Sequence, residues 1–496
     1  MKCIGLLVFI IAISTAPISA QQLVMPGDYP DPSVVKIGDT YWASATTSNW
    51  FPAYPLLKSK DLIKWETAGH VFDELPEWAD YYFWAPEISY EKGKVYIYYS
   101  AHKKNGNLCV GVASADKPEG PYRDHGPLIC QEVGSIDAFP MRDENGKLFM
   151  IWKEDGNSVG KPTPIWAQEM NEERTALIGE KKELFRNNET WEANLVEGVS
   201  MIRNGDYFYA FYAAAGCCGP GCTYASGIAR SKTLLGPWEK YQKNPILNND
   251  DKWKCPGHGT PIEKNGKYYF LYHAYSKVGD VFTGRQGLLI EFVFTPDNWI
   301  AFKTEQVTTK VRRVGSVVDH FTGNTLSEKW QWSVFQDIKY SLNDGLLEFK
   351  ALPASPGAIL GQKTIHANYK ATASVIMNKT NSTAGLAAIG DEKNLIGVLL
   401  KNDTIQVIQI KDGKETSVIK KTISLKGKLY LHMEVENGKD ISFFYSNDGK
   451  RLNELNETPI NGSFLPPWDR AVRAGLLSKG SVEQTATFDS FFIRPL

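Results

Sequence analysis

Apolar and polar positions over the first three hundred residues do not follow a helical period. Short runs rich in Val, Ile, Tyr, Phe and Trp are broken instead by Gly-containing turns. Such runs read as β-strands joined in hairpins. One pattern recurs five times, at residues 32–47, 86–102, 138–155, 198–216 and 259–275: apolar residues, a turn with glycine, then an aromatic-rich run. Three copies carry Asn-Gly at the turn, a dipeptide that accepts the positive φ angles of a tight hairpin. The turn glycines Gly38, Gly93, Gly146, Gly205 and Gly266 lie 55, 53, 59 and 61 residues apart. That period is too long for a helical or leucine-rich repeat. It fits a four-stranded sheet with its loops, which is one blade of a propeller. A second-half pattern also returns at residues 58–66, 113–123 and 229–239. The repeat therefore predicts a five-bladed β-propeller over residues 21–310.

The repeat stops after Val314. Residues 340–496 alternate apolar and polar positions between Asn-Gly and Asp-Gly turns, as at 346–350, 405–410 and 441–445. Seven or more short strands in this style predict a β-sandwich over residues 318–496, with the boundary near 306–317. The expected fold class is all-β.

Composition refines this picture. The chain has 496 residues, of which 43% are hydrophobic and 22% charged, as in globular domains. Fifty-five Lys and Arg face 56 Asp and Glu, which argues against a nucleic-acid partner. Fourteen Trp, 23 Tyr and 23 Phe make 12% of the chain aromatic, and flat aromatic faces suit sugar rings as well as β-structure. Residues 1–20 combine Lys2, an apolar run over 3–14 and a small Ala20, and read as a secretory signal peptide. No later stretch approaches the length of a transmembrane helix, so membrane insertion is not expected and export (periplasmic or extracellular) is. Six cysteines remain after residue 20: Cys109, Cys130, Cys217, Cys218, Cys222 and Cys255. An even number in an exported chain points to disulfides. The Cys217-Cys218-Gly-Pro-Gly-Cys222 cluster also raises a metal site, against which stand the missing C-x-x-C pairs and the lack of a nearby His.

In a propeller, residues at the start of each innermost strand converge on one end of the channel. Stepping back six to nine residues from the turn glycines finds Asp31, Glu87, Asp137, Glu197 and His258, all ionisable. Carboxylates around an aromatic-walled pocket suit cleavage of glycosidic bonds, which takes one protonated carboxyl and one ionised one. Mutual repulsion and desolvation separate the two pKa values.

The ordered motifs Tyr29-Pro30-Asp31-Pro32-Ser33, Trp84-Ala85-Pro86-Glu87, Ile136-Asp137 before Asp143-Glu144-Asn145-Gly146, Glu197-Gly198 and Gly257-His258-Gly259 complete the case. With them the chain resembles glycoside hydrolase family 43, the inverting five-bladed propellers that act on arabinose- and xylose-containing polysaccharides. Residues 318–496 look like the concanavalin A-like accessory sandwich of the family's β-xylosidases and α-L-arabinofuranosidases. The resemblance implies Asp31 as general base, Glu197 as general acid, and Asp137 as the group that orients the acid and raises its pKa. It implies Trp84 and Phe51 as apolar walls for the terminal sugar and Arg285 as a ligand of its hydroxyls. His258 resembles an axial histidine beside a hydrated calcium ion in the channel, while the chemistry itself requires no cofactor. The implied activity is exo-release of terminal α-L-arabinofuranosyl or β-D-xylosyl groups from plant oligosaccharides or polysaccharides. Galactosyl, galactofuranosyl or fructosyl substrates and a non-catalytic sugar-binding propeller are the alternatives. One departure is Glu197-Gly198-Val199, where the family has Glu-Gly-Pro, and Glu192 is the rival acid. In the second domain Asp319 and Asp489 read as surface carboxylates, with a shared calcium as the alternative.

Overall fold

The computed structural model describes residues 21–303, 315–424 and 427–496. The expected signal peptide and most of the expected domain boundary lie outside these residues. The first part forms five antiparallel four-stranded sheets, the fifth carrying one further short strand. Their innermost strands are β1 (Ser33–Ile37), β2 (Ala79–Glu91), β3 (Ser135–Arg142), β4 (Val196–Asn204) and β5 (Trp253–Lys264). Each packs against the next, and β5 returns to β1, so the sheets close into a five-bladed ring. The N-terminal strand Gln22–Met25 pairs with Arg285–Phe294 and completes the blade that begins with β5. The chain thus locks its own ring by joining its start to the last blade.

The repeat has a simple physical origin. A blade is covered on both faces by its neighbours, so its middle strands are apolar throughout rather than alternating. Phe208 to Ala214 are all buried. Apolar clusters fill all five gaps between blades. Examples are Phe83, Ile88 and Ile97 against Trp42 and Leu56, Tyr98 and Val110 against Met150 and Trp152, and Phe149 and Ile151 against Met201 and Phe208. Phe211 meets Phe270 and Phe292 in the next gap, and Tyr41 and Leu57 meet Leu271 and Leu289 in the last. The expected hairpins form where the glycines placed them, with closing pairs such as Ile37↔Thr40, Glu91↔Lys94, Asn204↔Tyr207 and Lys264↔Lys267.

The second part is a sandwich of a nine-stranded and a six-stranded antiparallel sheet. Alternation is clear in Lys428–Glu436, whose Leu429, Leu431, Met433 and Val435 enter the core beside Leu347, Phe349, Leu386, Val398 and Phe488. Asp319 caps the Phe321 amide and accepts from Trp330 Nε1 at 2.7 Å. Asp489 pairs with Lys428 and Ser374. Each carboxylate is used locally, so the alternative of a shared calcium finds no support.

The two parts are bonded together. Trp50–Phe51 of the first blade pairs with Trp332–Ser333 in a two-stranded ladder, and Trp50 inserts among Ile359, Ile389 and Leu477 of the sandwich. Buried Arg473 reaches back from the sandwich to Asp28 at 3.0 Å, and the Ala471 amide donates to the same carboxylate at 3.1 Å. This junction brings the segment Trp468–Asp469 of the sandwich to the propeller mouth.

Candidate active site

Four of the five innermost strands carry a register shift near the position marked by the repeat: Trp84/Glu87, Ile136/Phe139, Glu197/Ser200 and Gly257/Gly259. Every blade also holds one residue there with positive φ: Asp31 (50°), Ala85 (43°), Asp137 (59°), Gly198 (61°) and His258 (35°). A bulge bends the strand and re-aims a side chain. Present in four blades, and accompanied in all five by positive φ at the matching position, it turns these side chains toward one end of the channel, and the strained backbone is held by the packed blades.

The result is a cavity of about 490 Å³ lined by Asp31, Asp137, Glu197, His258 and Arg285, with Trp84 on its wall. Glu87 does not line it. That carboxyl meets Thr260 Oγ1 at 3.4 Å, and burial pushes its pKa well up. Blade two presents Trp84 and Ala85 to the cavity in its place. A larger cavity of about 940 Å³ lies between the first blade and the sandwich, but it contains none of the three carboxylates.

Asp31 is held on three sides. Arg285 Nη1 donates to Oδ1 at 2.9 Å, and Thr46 Oγ1 donates to Oδ2 at 2.7 Å. The Asp31 amide donates to His273 Nδ1 at 3.0 Å. Burial is the largest single influence and would push the Asp31 carboxyl up, but the Arg285 guanidinium together with the neighbouring His273 and His258 outweighs it and holds the group well below the usual carboxylate range. His273 is buried and brought down to about 4, so the ring is neutral and its 3.2 Å approach to Oδ1 is not an ion pair.

Glu197 sits between Lys153 Nζ at 2.6 Å and Tyr224 Oη at 2.8 Å, both donating. Lys153 also bonds Asp155 at 2.9 Å. Burial raises the Glu197 carboxyl, yet the Lys153 charge and these two hydrogen bonds bring it below its ordinary value. Asp137 has no such cation in contact. Burial pushes it up to about 6, and repulsion from Glu197 adds to this. The two carboxyls titrate as a pair, and Lys153 directs the shared proton toward Asp137. The Gly198 amide donates to Asp137 Oδ2 at 2.9 Å, which ties the two carboxylates together through one peptide.

Two glycines make this geometry possible. A Cβ on Gly198 would lie 2.7 Å from the His258 ring, and its φ of 61° already disfavours a side chain. A Cβ on Gly257 would lie 2.2 Å from the Tyr224 ring that holds Glu197. Val199, which stands in the family's Pro position, is buried between blades three and four.

One sequence expectation changes, and one alternative falls away. Phe51 is not a wall of the cavity: it is 6% exposed and packs edge-on against Trp332, because its strand is the one that pairs with the sandwich. Glu192, the rival acid, is fully buried and lies outside the cavity. It accepts from Tyr212 Oη at 2.8 Å, from Lys240 and from two backbone amides, a capping arrangement at a short turn. His258 points Nδ1 at Asp31 Oδ1 (3.5 Å) and Asp137 Oδ2 (3.9 Å). Among the described residues no three His, Cys, Asp or Glu side chains converge as a direct metal-ligand set, so the expected calcium has no support in the donor geometry.

The sequence reading missed Lys153 and the sandwich residues. Asp469 Oδ2 accepts from Trp84 Nε1 at 3.1 Å and from Ser48 Oγ, while its carbonyl accepts from Arg285 Nη2 at 3.0 Å. The six cysteines among the described residues are all paired: Cys109–Cys130, Cys217–Cys218 and Cys222–Cys255. Cys217 and Cys218 also line the cavity.

A family model described as glycosyl hydrolases family 43 matches residues 20–300, and one described as the β-xylosidase C-terminal concanavalin A-like domain matches 318–467. A β-xylosidase of Bacillus subtilis is 30% identical over 262 residues, covering 49% of this chain and 45% of that protein. A non-reducing-end α-L-arabinofuranosidase of Bacteroides ovatus is 23% identical over 469 residues, 84% of this chain and 80% of the relative. The chain spans about half the length of the first curated relatives it matches. A family 43 protein from Bacillus licheniformis superposes with a TM-score of 0.82 at 24% identity, covering 96% of this chain and all of that one. This likeness shows the two-part fold.

Proposed function

The chain belongs to glycosyl hydrolase family 43, and from that premise we propose that it is an inverting, exo-acting glycosidase releasing terminal α-L-arabinofuranosyl or β-D-xylosyl groups from plant-derived oligosaccharides. The observation that carries the reading is the meeting of Asp31, Asp137 and Glu197, from three different blades, in one sugar-sized cavity with contrasting surroundings. Asp31, kept ionised by Arg285, takes a proton from a water molecule. The oxygen of that water forms a bond to the anomeric carbon on the face opposite the leaving group. As the glycosidic bond breaks, Glu197 gives its proton to the departing oxygen. The products are the free sugar with inverted configuration and the shortened saccharide. Asp31 is left protonated and Glu197 ionised, and exchange with solvent restores both.

Glu197 needs a proton for this step, and Lys153 opposes it. In this reading the proton held by the Asp137–Glu197 pair moves to Glu197 when the substrate's glycosidic oxygen arrives as its acceptor. Asp137 supplies the negative neighbour that favours protonated Glu197 and orients it through the Gly198 amide. Arg285 lines the cavity beside Asp31, which supports a role in holding a sugar hydroxyl. Trp84 forms the apolar wall. Trp468 and Asp469 close one side of the cavity, which favours removal of end groups over internal cleavage. Three disulfides support export into an oxidising compartment.

A panel of aryl arabinofuranosides, xylosides, galactosides and galactofuranosides tests the proposal. Release from one of the two pentosides by the wild type, and loss of release from the matching oligosaccharide in Glu197→Gln, is the expected result. A wild type and a Glu197→Gln protein equally inert on every pentoside would leave a sugar-binding propeller instead.

A further inference from the structure

Most exposed large apolar residues of this chain are scattered singly, such as Val278, Val482 and Val159, and need no explanation. Around the cavity mouth the pattern differs. Trp84 stacks on Tyr82 with centroids 4.3 Å apart, Tyr82 meets Tyr81 at 4.7 Å, and Tyr81 meets Phe335 at 6.0 Å. Trp468 stands edge-on to both Trp84 and Tyr82 at 5.6 and 6.4 Å. The rings form one continuous strip from the cavity wall outward. At its outer members the strip is open: Phe335 is 56% exposed and Trp468 53%.

The strip is built, not incidental. Tyr81 and Tyr82 are neighbours in sequence and would point to opposite faces of a regular strand. Register shifts on both sides of Tyr81 and a φ of 57° at Tyr82 bring both rings to one side. Asn49 fixes the strip from both domains. Its Oδ1 accepts from the Tyr82 amide at 3.0 Å, and its carbonyl accepts from the Val334 amide at 3.0 Å, next to Phe335. The ladder Trp50–Phe51 with Trp332–Ser333 holds the same corner. Tyr81 is further backed by His102, stacked at 4.1 Å. A contiguous exposed aromatic surface, rigidly mounted and continuous with a candidate sugar pocket, marks a binding face.

We propose that Trp468, Tyr82, Tyr81 and Phe335 form a ledge for the leaving-group side of the substrate, taking at least two sugar rings beyond the bond that is cut. The ligand is a neutral chain of pyranose rings, whose C–H faces lie on aromatic planes while their hydroxyls stay in water. The ledge needs both domains, since Phe335 and Trp468 lie beyond the propeller. It rests on the glycosidase reading for its orientation, with the cavity end taking the terminal sugar.

The test separates the ledge from the chemistry by measuring binding alone. Glu197→Gln protein is titrated calorimetrically with xylo-oligosaccharides of two to five units and with arabinofuranosyl-substituted ones. Affinity rises with chain length in this protein. In Glu197→Gln carrying Phe335→Ala or Tyr81→Ala, the longest chains bind about three- to ten-fold more weakly and the rise flattens. Phe335 is exposed, so its variant keeps the fold, and a thermal melt checks this. Equal affinity for two and five units, or an undiminished rise in both variants, overturns the ledge. A wild type that hydrolyses no pentoside would refute the glycosidase reading while leaving the titration to decide the ledge.

Discussion

Lys153 and Glu197 face each other across two blades, with Nζ 2.6 Å from Oε2 and the lysine side chain 1% exposed. A buried cation against the group assigned as acid makes the site's proton the quantity to follow. Removing the cation should favour the protonated carboxyl. The variant Lys153→Met is expected to move the alkaline limb of kcat/KM upward by about one pH unit or more. A pH profile on an aryl pentoside checks this.

The wild-type limb follows from Asp137. Burial keeps the Asp137 carboxyl protonated up to about 6, and in this reading that is the proton passed to Glu197. The acid is present below that value and lost above it, so kcat/KM should fall as pH rises through about 6. In Asp137→Asn the negative neighbour is gone, and the limb moves lower. Activity with an unmoved limb would count against this role.

Proton donation matters most for poor leaving groups. Glu197→Gln should lose about 10²–10⁴-fold in kcat on oligosaccharides. Its loss on dinitrophenyl pentosides should be far smaller, because that phenolate leaves without help. A leaving-group series of steady-state rates measures the difference.

The sandwich should be needed for the stability of the whole. Arg473 is buried against Asp28 at 3.0 Å. Arg473→Met leaves that carboxylate without its cation and should cost roughly 3–5 kcal/mol. Chemical denaturation gives the number. The variant also loosens the segment that places Asp469 beside Arg285, so its KM should rise.

Gly198→Ala places a Cβ against the His258 ring at a left-handed backbone position. A destabilisation of about 1–3 kcal/mol is expected, together with loss of kcat, since the Gly198 amide also holds Asp137. Thermal melting and rates test it together.

The ring of blades was legible because each blade repeats one burial problem, and the turn glycines mark its period. Asp31, Asp137 and Glu197 were found by the same bookkeeping of positions. The bulges that aim them were not: Asp and His accept positive φ more readily than most residues, but nothing in the letters marks which of them the packed ring holds there. Lys153 left a usable signal: it continues the apolar run Phe149–Trp152 and stands directly before Glu154 and Asp155, and a buried lysine needs acidic partners. Asp469 left none, since its partner Ser48 is 421 residues away and the junction is set by tertiary packing. Phe51 misled for a related reason: an aromatic beside the pocket motifs reads as a wall until its strand is seen pairing with Trp332.

The stereochemistry of the first product tests the central claim most directly. Proton NMR of a fresh reaction on a pentoside substrate follows the anomeric signal before mutarotation. Water activated by Asp31 on the face opposite the leaving group predicts a first product of inverted configuration. A first product of retained configuration would contradict the account, because it requires a covalent sugar–enzyme intermediate.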